Sequence, residues 1–200
     1  MKINEFVQEV HQNAVDHGWW DGGDRPVAEL ISLIHSEWSE ALEEARAENP
    51  MLYINDSKGN KCEIAKLGSG VAGLDNCKPE GIGVELIDGV IRIFDLFGKY
   101  GYKVSRGDAQ MLIEASKKAN PMLGKKTALA MVVMTAHDLT AKAGEAMLRN
   151  MPVEMAMAPL EACTGFVLAW VQMQGWNPEQ LLKIKHEYNK TRPYKHGKKF

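Results

Sequence analysis

Two pairs of carboxylates, each pair spaced three residues apart, carry the clearest chemical signal in this sequence. Glu37 and Glu40 form the first pair, and Glu85 and Asp88 form the second. Residues three apart on a helix share a face, so each pair can present two carboxylates to one point. Two such helices side by side gather four oxygen ligands, which hard cations such as Mg²⁺ or Mn²⁺ prefer. The spacing therefore predicts a metal centre.

The segment that carries the second pair, residues 78–102, is predicted to be a buried helix. Glu85, Asp88, Arg92 and Asp95 recur at spacings of three and four and so form one narrow stripe. Apolar residues cover most of the remaining surface, which is typical of a helix inside a core. The stripe is therefore expected to face an internal cleft, with Arg92 pairing with neighbouring carboxylates.

The first pair lies on a second predicted helix, Val27–Arg46, which begins directly after Pro26. Proline suits the first turn of a helix. Leucine and isoleucine side chains flank Glu37 and Glu40 on the helical wheel, so this acidic edge also borders the packed face. The two helices are therefore expected to pack with their carboxylates towards each other.

The order of these motifs resembles the all-α nucleoside triphosphate pyrophosphohydrolases, the MazG-like superfamily, whose relatives include dimeric dUTPases and phosphoribosyl-ATP pyrophosphatase. E-x-x-E on one helix and E-x-x-D on the next is the signature of that superfamily. The similarity extends over roughly half of the chain, in GWW, LIHSEWSEALEEAR, KPEGIGVELIDGVIRIFDLFGKYG and KHEYNKTRPYKHGKKF. The resemblance implies an all-α helical bundle, here with a small hairpin or loop insertion and an extra helical pair.

The resemblance also implies a reaction, the hydrolysis of a ribo- or deoxyribonucleoside triphosphate to the monophosphate and pyrophosphate. Water attacks the α-phosphorus with Mg²⁺, or alternatively Mn²⁺, as cofactor. Glu37, Glu40, Glu85 and Asp88 are then the metal ligands, and one of the glutamates also acts as the base. A non-catalytic nucleotide sensor or assembly protein on the same fold is the alternative. A di-iron bundle is disfavoured, because it needs Glu-x-x-His pairs and these helices contain none.

Substrate-binding residues are implied near both ends of the chain. Trp20 is expected to flank the base, since aromatic faces stack on bases, and at least one of Trp19 and Trp20 is expected to be a packing residue. Asp95 stands where relatives often carry asparagine. Its expected partner is therefore the metal, the sugar or the base, and these three alternatives stay open. The basic tail is expected to hold phosphoryl oxygens, although composition alone would make it a solvated surface. Its residues are Lys185, Asn189, Arg192 and His196, followed by Lys198 and Lys199.

Two insertions distinguish this chain from compact relatives. Residues 50–78 are predicted to contain a small hairpin, either a lid or decoration. Residues 103–176 are predicted to form helices at 109–119, 127–150 and 153–174. Two explanations of the longer pair stay open. The pair 127–150 and 153–174 is either a degenerate second copy of the core pair, with Lys142 and Glu145 aligned with the E-x-x-E, or a pair of unrelated apolar helices. Seven methionines here are predicted to fill the core, at positions 131, 134, 147, 151, 155, 157 and 173.

Composition indicates one domain over residues 1–200, since 200 residues with 45% hydrophobic content can bury one core. A net charge of −2 argues against a protein that coats nucleic acid. The start lacks an apolar signal segment, and the three cysteines lack metal-type spacing, so a cytoplasmic protein is expected.

Residues 153–175 contain two glutamates and a proline and are predicted to be a buried helix rather than a membrane span. His35 and His137 are expected to be structural. A homodimer is expected because related proteins assemble to cover apolar helix faces, and a monomer is the alternative if residues 127–174 replace a partner's helices within the chain.

Overall fold

The computed structural model describes residues 1–55, 61–63 and 78–197, except for the side chains of residues 61–63 and 196. Within this part of the chain the fold is mostly helical, which confirms the predicted all-α class. Three short strands accompany the helices. The elements are α1 (Ile3–Asp16), α2 (Val27–Arg46), β1 (Tyr53–Asn55), β2 (Lys61–Glu63), β3 (Lys78–Glu80), α3 (Ile82–Lys99), α4 (Ala109–Ala119), α5 (Leu129–Leu148), α6 (Val153–Met173) and α7 (Pro178–Lys190).

Local sequence signals fix most helix ends. The Asp108 side chain accepts a hydrogen bond from the Gln110 N–H at 2.8 Å and caps α4, and Asn177 caps α7 in the same way. The prediction that the central helix starts at residue 78 was wrong. Gly81 has a φ of 118°, a conformation that L residues rarely adopt, so the helix begins only at Ile82.

The residues before Gly81 instead form β3 in a small antiparallel sheet with the strand order β2-β1-β3. Tyr53 of β1 pairs with Glu63 on one side and with Glu80 on the other. The β1–β2 pair is the predicted hairpin, whereas the third strand was missed. The rest of the predicted insertion, residues 56–60 and 64–77, lies outside the described residues.

Helix α3 is the centre of the fold, with α1, α2, α6 and α7 packed around it. Its apolar side chains are almost completely buried, as the predicted pattern required. Gly89 allows the closest approach. A Cβ built there would lie 2.3 Å from ring atoms of Trp38 on α2, so only glycine leaves room for that ring.

Helices α4, α5 and α6 pack on one another in the way that α1, α2 and α3 do. The two sets meet through corresponding positions. The Ile3 N–H donates to the Gly107 carbonyl at 3.0 Å, and the Ala109 N–H donates to the Met1 carbonyl at 3.0 Å, a reciprocal pair at the starts of α1 and α4. A residue contacts its own counterpart only near a two-fold axis. These contacts therefore support a local two-fold relationship.

The contacts between α2 and α5 are consistent with the same local two-fold relationship. His35 Nδ1 lies 2.7 Å from His137 Nδ1, and Trp38 Nε1 donates to Thr140 Oγ1 at 3.0 Å. Both pairs are separated by 102 residues in the chain. The two histidines bond to each other and face away from the carboxylates, in agreement with a structural role.

The offset of 102 residues supports the degenerate-copy explanation, with a different overlay from the one that sequence suggested. At this offset Leu139 corresponds to Glu37, and Lys142 corresponds to Glu40. The sequence overlay of Lys142 and Glu145 was therefore three residues out of register. At this offset α5 has no carboxylate at the positions that correspond to Glu37 and Glu40.

Helix α6 is long and apolar enough to cross a membrane, but 67% of its most apolar window is buried inside the bundle. That burial agrees with the predicted core helix. The prediction that all seven methionines fill the core was wrong for four of them. Met131, Met134, Met151 and Met155 are exposed, whereas Met147 and Met157 are buried. The exposed four lie on the outer faces of α5 and α6 or at the turn between them.

Replacing Gly89 with alanine is expected to lower the free energy of unfolding by about 1–3 kcal/mol, because the new methyl group overlaps the Trp38 ring. Gly107→Ala is the matched control, since a Cβ there meets nothing within 4 Å and its φ lies outside the left-handed region. Urea unfolding measures both variants. Equal stability of the two would contradict the packing described here.

Candidate functional site

The crossing of α2 and α3 sets the distance between the two carboxylate pairs. Trp38 lies against Gly89, and each of these residues directly follows a predicted ligand, Glu37 on α2 and Asp88 on α3. The contact that brings the helices closest therefore also brings the carboxylates together.

Three of the four predicted metal ligands converge. Glu37, Glu40 and Glu85 each offer one carboxylate oxygen, and these oxygens all lie within 4.8 Å of one another. Glu37 and Glu85 are only 5% and 6% exposed, whereas Glu40 is on the solvent side. This arrangement is referred to below as the carboxylate cluster.

Asp88, the fourth predicted ligand, is paired with a cation instead. Lys185 Nζ lies 2.7 Å from Asp88 Oδ2, and the Lys185 side chain is 3% exposed. The same ammonium group donates to the Pro79 carbonyl at 3.4 Å. Sequence reasoning assigned Lys185 to phosphate, but in this structure it neutralises a carboxylate of the site.

A second internal cation balances the cluster itself. Arg92 Nε donates to Glu37 Oε1 at 2.6 Å, which is the pairing expected for the charged stripe. Arg92 lies one turn after Asp88 on α3, so the same helix face supplies both a carboxylate and a counter-charge.

Burial changes the proton affinity of the cluster. It is the main cause that raises the pKa of Glu37 to about 7, while the Arg92 guanidinium opposes the shift. Burial likewise raises the pKa of Glu85 to about 8, with the Asp88 carboxylate reinforcing the shift and Lys185 opposing it. Near neutral pH these carboxyl groups therefore hold protons part of the time, and a divalent cation that bound them would displace those protons.

The donor set fits a hard divalent cation. All of its atoms are carboxylate oxygens, and within the described residues Arg92 and Lys185 are the cations paired with Glu37 and Asp88. Mg²⁺ and Mn²⁺ are bound through such oxygens. Glu37, Glu40 and Glu85 would hold the ion directly, and Asp88 lies beside them on α3.

A cavity of about 120 Å³ lies along α3 next to the cluster. One water needs only about 10–15 Å³ by the same measure, so the cavity has room for part of an organic molecule. Its α3 wall is formed by Asp88, Ile91, Arg92 and Asp95, which places the predicted charged stripe on an internal cleft.

Helix α7 forms the opposite wall and runs in the same direction as α3. Leu181 packs near Gly83, and Lys185 bonds to Asp88, so residues later in α7 lie beside later residues of α3. Asn189 and Arg192 accordingly line the cavity away from the cluster. The side chains of His196, Lys198 and Lys199 lie outside the described part of the structure.

The far end of the cavity is set by Asp95. Its Oδ1 accepts hydrogen bonds from Trp20 Nε1 at 3.0 Å and lies 2.7 Å from His11 Nδ1. Trp20, which was expected to flank the base, instead positions Asp95, and Trp19 is the tryptophan that lines the cavity. Arg25 lies over the Trp19 ring, 5.3 Å from its centroid.

Sequence reasoning missed His11 and His186 as residues of this site. His11 stands at the edge of the apolar face of α1, and no sequence motif marks it as a residue of the site. His186 is 1% exposed and packs its ring edge-on against Phe6, with 5.1 Å between the ring centroids. Only the packing of α7 against α1 and α3 reveals that it lines the cavity.

Comparisons of this chain with protein-family models, with curated proteins and with solved structures found no match. The case for the function therefore depends on the motifs and on the geometry of the site.

The metal-free protein is expected to lose stability as pH rises from about 6.5 to 8, a range above that in which the histidines with lowered pKa values mainly act in the opposite direction. A carboxyl group whose pKa is raised by folding stabilises the folded state only while it stays protonated. The change should be about 2–3 kcal/mol, smaller in Glu85→Gln, and Mg²⁺ should reverse it. Urea unfolding against pH, with and without Mg²⁺, measures this. A flat profile in the wild type would count against the cluster.

Proposed function

We propose that this chain is a metal-dependent nucleoside triphosphate pyrophosphohydrolase, which cleaves its substrate to the nucleoside monophosphate and pyrophosphate. The observation that carries the proposal is the carboxylate cluster of Glu37, Glu40 and Glu85, which adjoins Asp88 and Arg92 at the wall of a cavity of about 120 Å³. The E-x-x-E and E-x-x-D motifs that resemble the MazG-like superfamily support the same reaction.

The cofactor is Mg²⁺, or Mn²⁺ in its place, held by Glu37, Glu40 and Glu85 with Asp88 as the fourth ligand. When bound, the ion neutralises charge on the phosphates and positions a water for in-line attack. One of the glutamates takes the proton of that water.

Basic residues supply the remaining charge neutralisation. Lys185 and Arg92 stay beside the carboxylates and hold them in place, since each has a short ion pair there. Arg192, at the cavity wall, and the tail residues His196, Lys198 and Lys199 are proposed to contact phosphoryl oxygens.

A non-catalytic nucleotide sensor on the same fold is the second candidate. One observation favours this candidate. Glu37 and Asp88 are each paired with an internal cation, so the negative charge that a metal ion would have to neutralise is smaller. Such a protein would bind the nucleotide without cleaving it.

The proposed substrate is a free nucleotide in the cytoplasm, with no role for nucleic acid or a membrane. We also propose that two copies associate. Met131 and Met134 on α5 are 52% and 59% exposed, and such side chains are covered in many oligomers.

Pyrophosphate release from a panel of NTPs and dNTPs, with Mg²⁺ or Mn²⁺, tests the reaction. Glu40→Gln is expected to lower turnover at least about 100-fold, because it removes a metal ligand without changing the size of the side chain. Glu43→Gln, an exposed glutamate on the same helix, is the matched control and should keep full activity.

Three results would contradict the proposal in different ways. Release of orthophosphate would place cleavage at the γ-phosphate. Equal activity of Glu40→Gln and wild type would remove the cluster from the reaction. Nucleotide binding without turnover would favour the sensor.

A further inference from the structure

The segment that follows α7 is attached to the turn that follows α1. Residues 191–195 of this segment are referred to below as the strap. The Lys195 N–H donates to the His17 carbonyl at 2.9 Å, and the Tyr194 hydroxyl donates to Asp21 Oδ2 at 2.8 Å. These two hydrogen bonds join distant parts of the chain and hold the strap in one place.

The backbone on both sides of the attachment is shaped for it. A Cβ built at Gly18 would lie 2.0 Å from Cε2 of Tyr194, so any other residue there would displace the ring. Lys195 has a φ of 47°, a left-handed conformation that is unfavourable for a residue with a side chain. This conformation occurs where the Lys195 N–H reaches the His17 carbonyl. The strap is therefore a specific attachment and not a segment that merely lies on the surface.

The strap borders the cavity at both of its ends. Trp19, which lies in the turn between the two anchor residues His17 and Asp21, lines the cavity. On the side of α7, Asn189 and Arg192 line it. The strap thus connects two walls of the cavity, and its attachment fixes these walls relative to each other.

The backbone of Arg192 is held from both sides by this arrangement. Its N–H donates to the Asn189 carbonyl at 3.3 Å, which ties it to the end of α7. Pro193 has a fixed φ and also restricts the residue before it. Tyr194 follows directly, and two residues span at most about 7 Å. Arg192 therefore stays at the cavity wall as long as Tyr194 stays on the turn.

The side chain of Arg192 is available to an anion. Among the described residues that line the cavity are Arg25, Arg92 and Arg192. Arg25 and Arg92 each pair with a glutamate of α2. No ion pair of the described residues includes Arg192, and its guanidinium lies over the Tyr188 ring, 5.9 Å from the centroid. An arginine that is stacked in this way loses less conformational freedom when it binds a phosphoryl oxygen.

We propose that Tyr194 is a positioning residue for the phosphate chain of the substrate. Its contacts with Asp21 and Gly18 hold the strap on the turn after α1, and the strap holds Arg192 where its guanidinium meets a phosphoryl oxygen. This inference rests on the proposed function for the identity of the anion. It gives Tyr194 and Asp21 a role that they perform through Arg192.

Asp21→Ala tests the strap with a sign that electrostatics alone does not give. Removing a negative charge near the cavity would strengthen the binding of an anion, whereas loss of the hydrogen bond to Tyr194 should weaken it. Calorimetry with Mg²⁺ and the α,β-methylene analogues of the nucleoside triphosphates measures the affinity, which is expected to fall about 3- to 10-fold. Tyr194→Phe should give a similar loss without a change of charge.

Two further variants serve as matched controls. Asp21→Asn keeps an oxygen that accepts from the Tyr194 hydroxyl, so it should bind the analogues at least as tightly as the wild type. Asp16→Ala removes an exposed carboxylate that bonds to Gln12 on its own helix. It changes the charge without touching the strap and should not weaken binding.

A double-mutant cycle tests whether Tyr194 acts through Arg192. Arg192→Ala is expected to weaken binding of the analogues about 10-fold or more, because a charge-assisted hydrogen bond is lost. Adding Tyr194→Phe to Arg192→Ala should cause little further loss, since the group that the strap positions is then absent. Losses that multiply in the double variant would overturn the positioning role.

Amide hydrogen exchange tests the strap without any ligand. The Lys195 N–H is expected to be protected in the wild type, because it bonds to the His17 carbonyl. It should exchange several-fold faster in Asp21→Ala and in Tyr194→Phe. A Lys195 amide without protection in the wild type would overturn the strap itself.

The remaining outcomes separate this inference from the proposed function. Pyrophosphate release by the wild type, with unchanged or higher analogue affinity in Asp21→Ala and Tyr194→Phe, would overturn the positioning role and leave the reaction standing. Weaker analogue binding by both variants, in a protein that releases no pyrophosphate, would support the positioning role and overturn the reaction. Failure of the wild type to bind any analogue would overturn both.

Discussion

The burial of acidic side chains inside an apolar helical bundle is the constraint on which the rest of this structure depends. Removing an isolated carboxylate from water is unfavourable in free energy, and the penalty is smaller when opposite charges lie close by. Arg92 and Lys185 provide those charges, one from α3 itself and one from α7. The position of α7 is therefore part of the electrostatics of the site as well as of its packing. A divalent cation would compete with these two side chains for the same oxygens.

The support for this arrangement comes from the other half of the molecule. α2 contacts α3 on one side and α5 on another, and Trp38 joins all three by packing on Gly89 and bonding to Thr140. The corresponding contact in the second half is small, because Thr140 takes the place of the tryptophan and lies near Cys163. The half that contains α2 and α3 thus carries both Trp38 and the carboxylates, and the half that contains α5 supplies the surface against which α2 is held.

Sequence predicted the helices well because their signals are local. The apolar periodicity and the flanking proline gave α2 its observed ends, and the stripe on α3 does face a cleft. The start of α3 was misplaced because the left-handed φ of Gly81 cannot be distinguished in sequence from an ordinary loop glycine. The pairing of Asp88 with Lys185 joins residues 97 positions apart, and the unpaired ring of His186 depends on three helices. Neither has a local signature.

The different residues at corresponding places of the two helix pairs limit the number of candidate centres. Leu139 and Lys142 stand in α5 where Glu37 and Glu40 stand in α2, so the described residues of one chain carry one candidate centre rather than two. If α2 and α3 carry the proposed chemistry, substitutions there are constrained by folding and by the reaction together, whereas substitutions in α5 and α6 are constrained by folding alone. Among homologous sequences, drift should then be faster in the second helix pair than in the first.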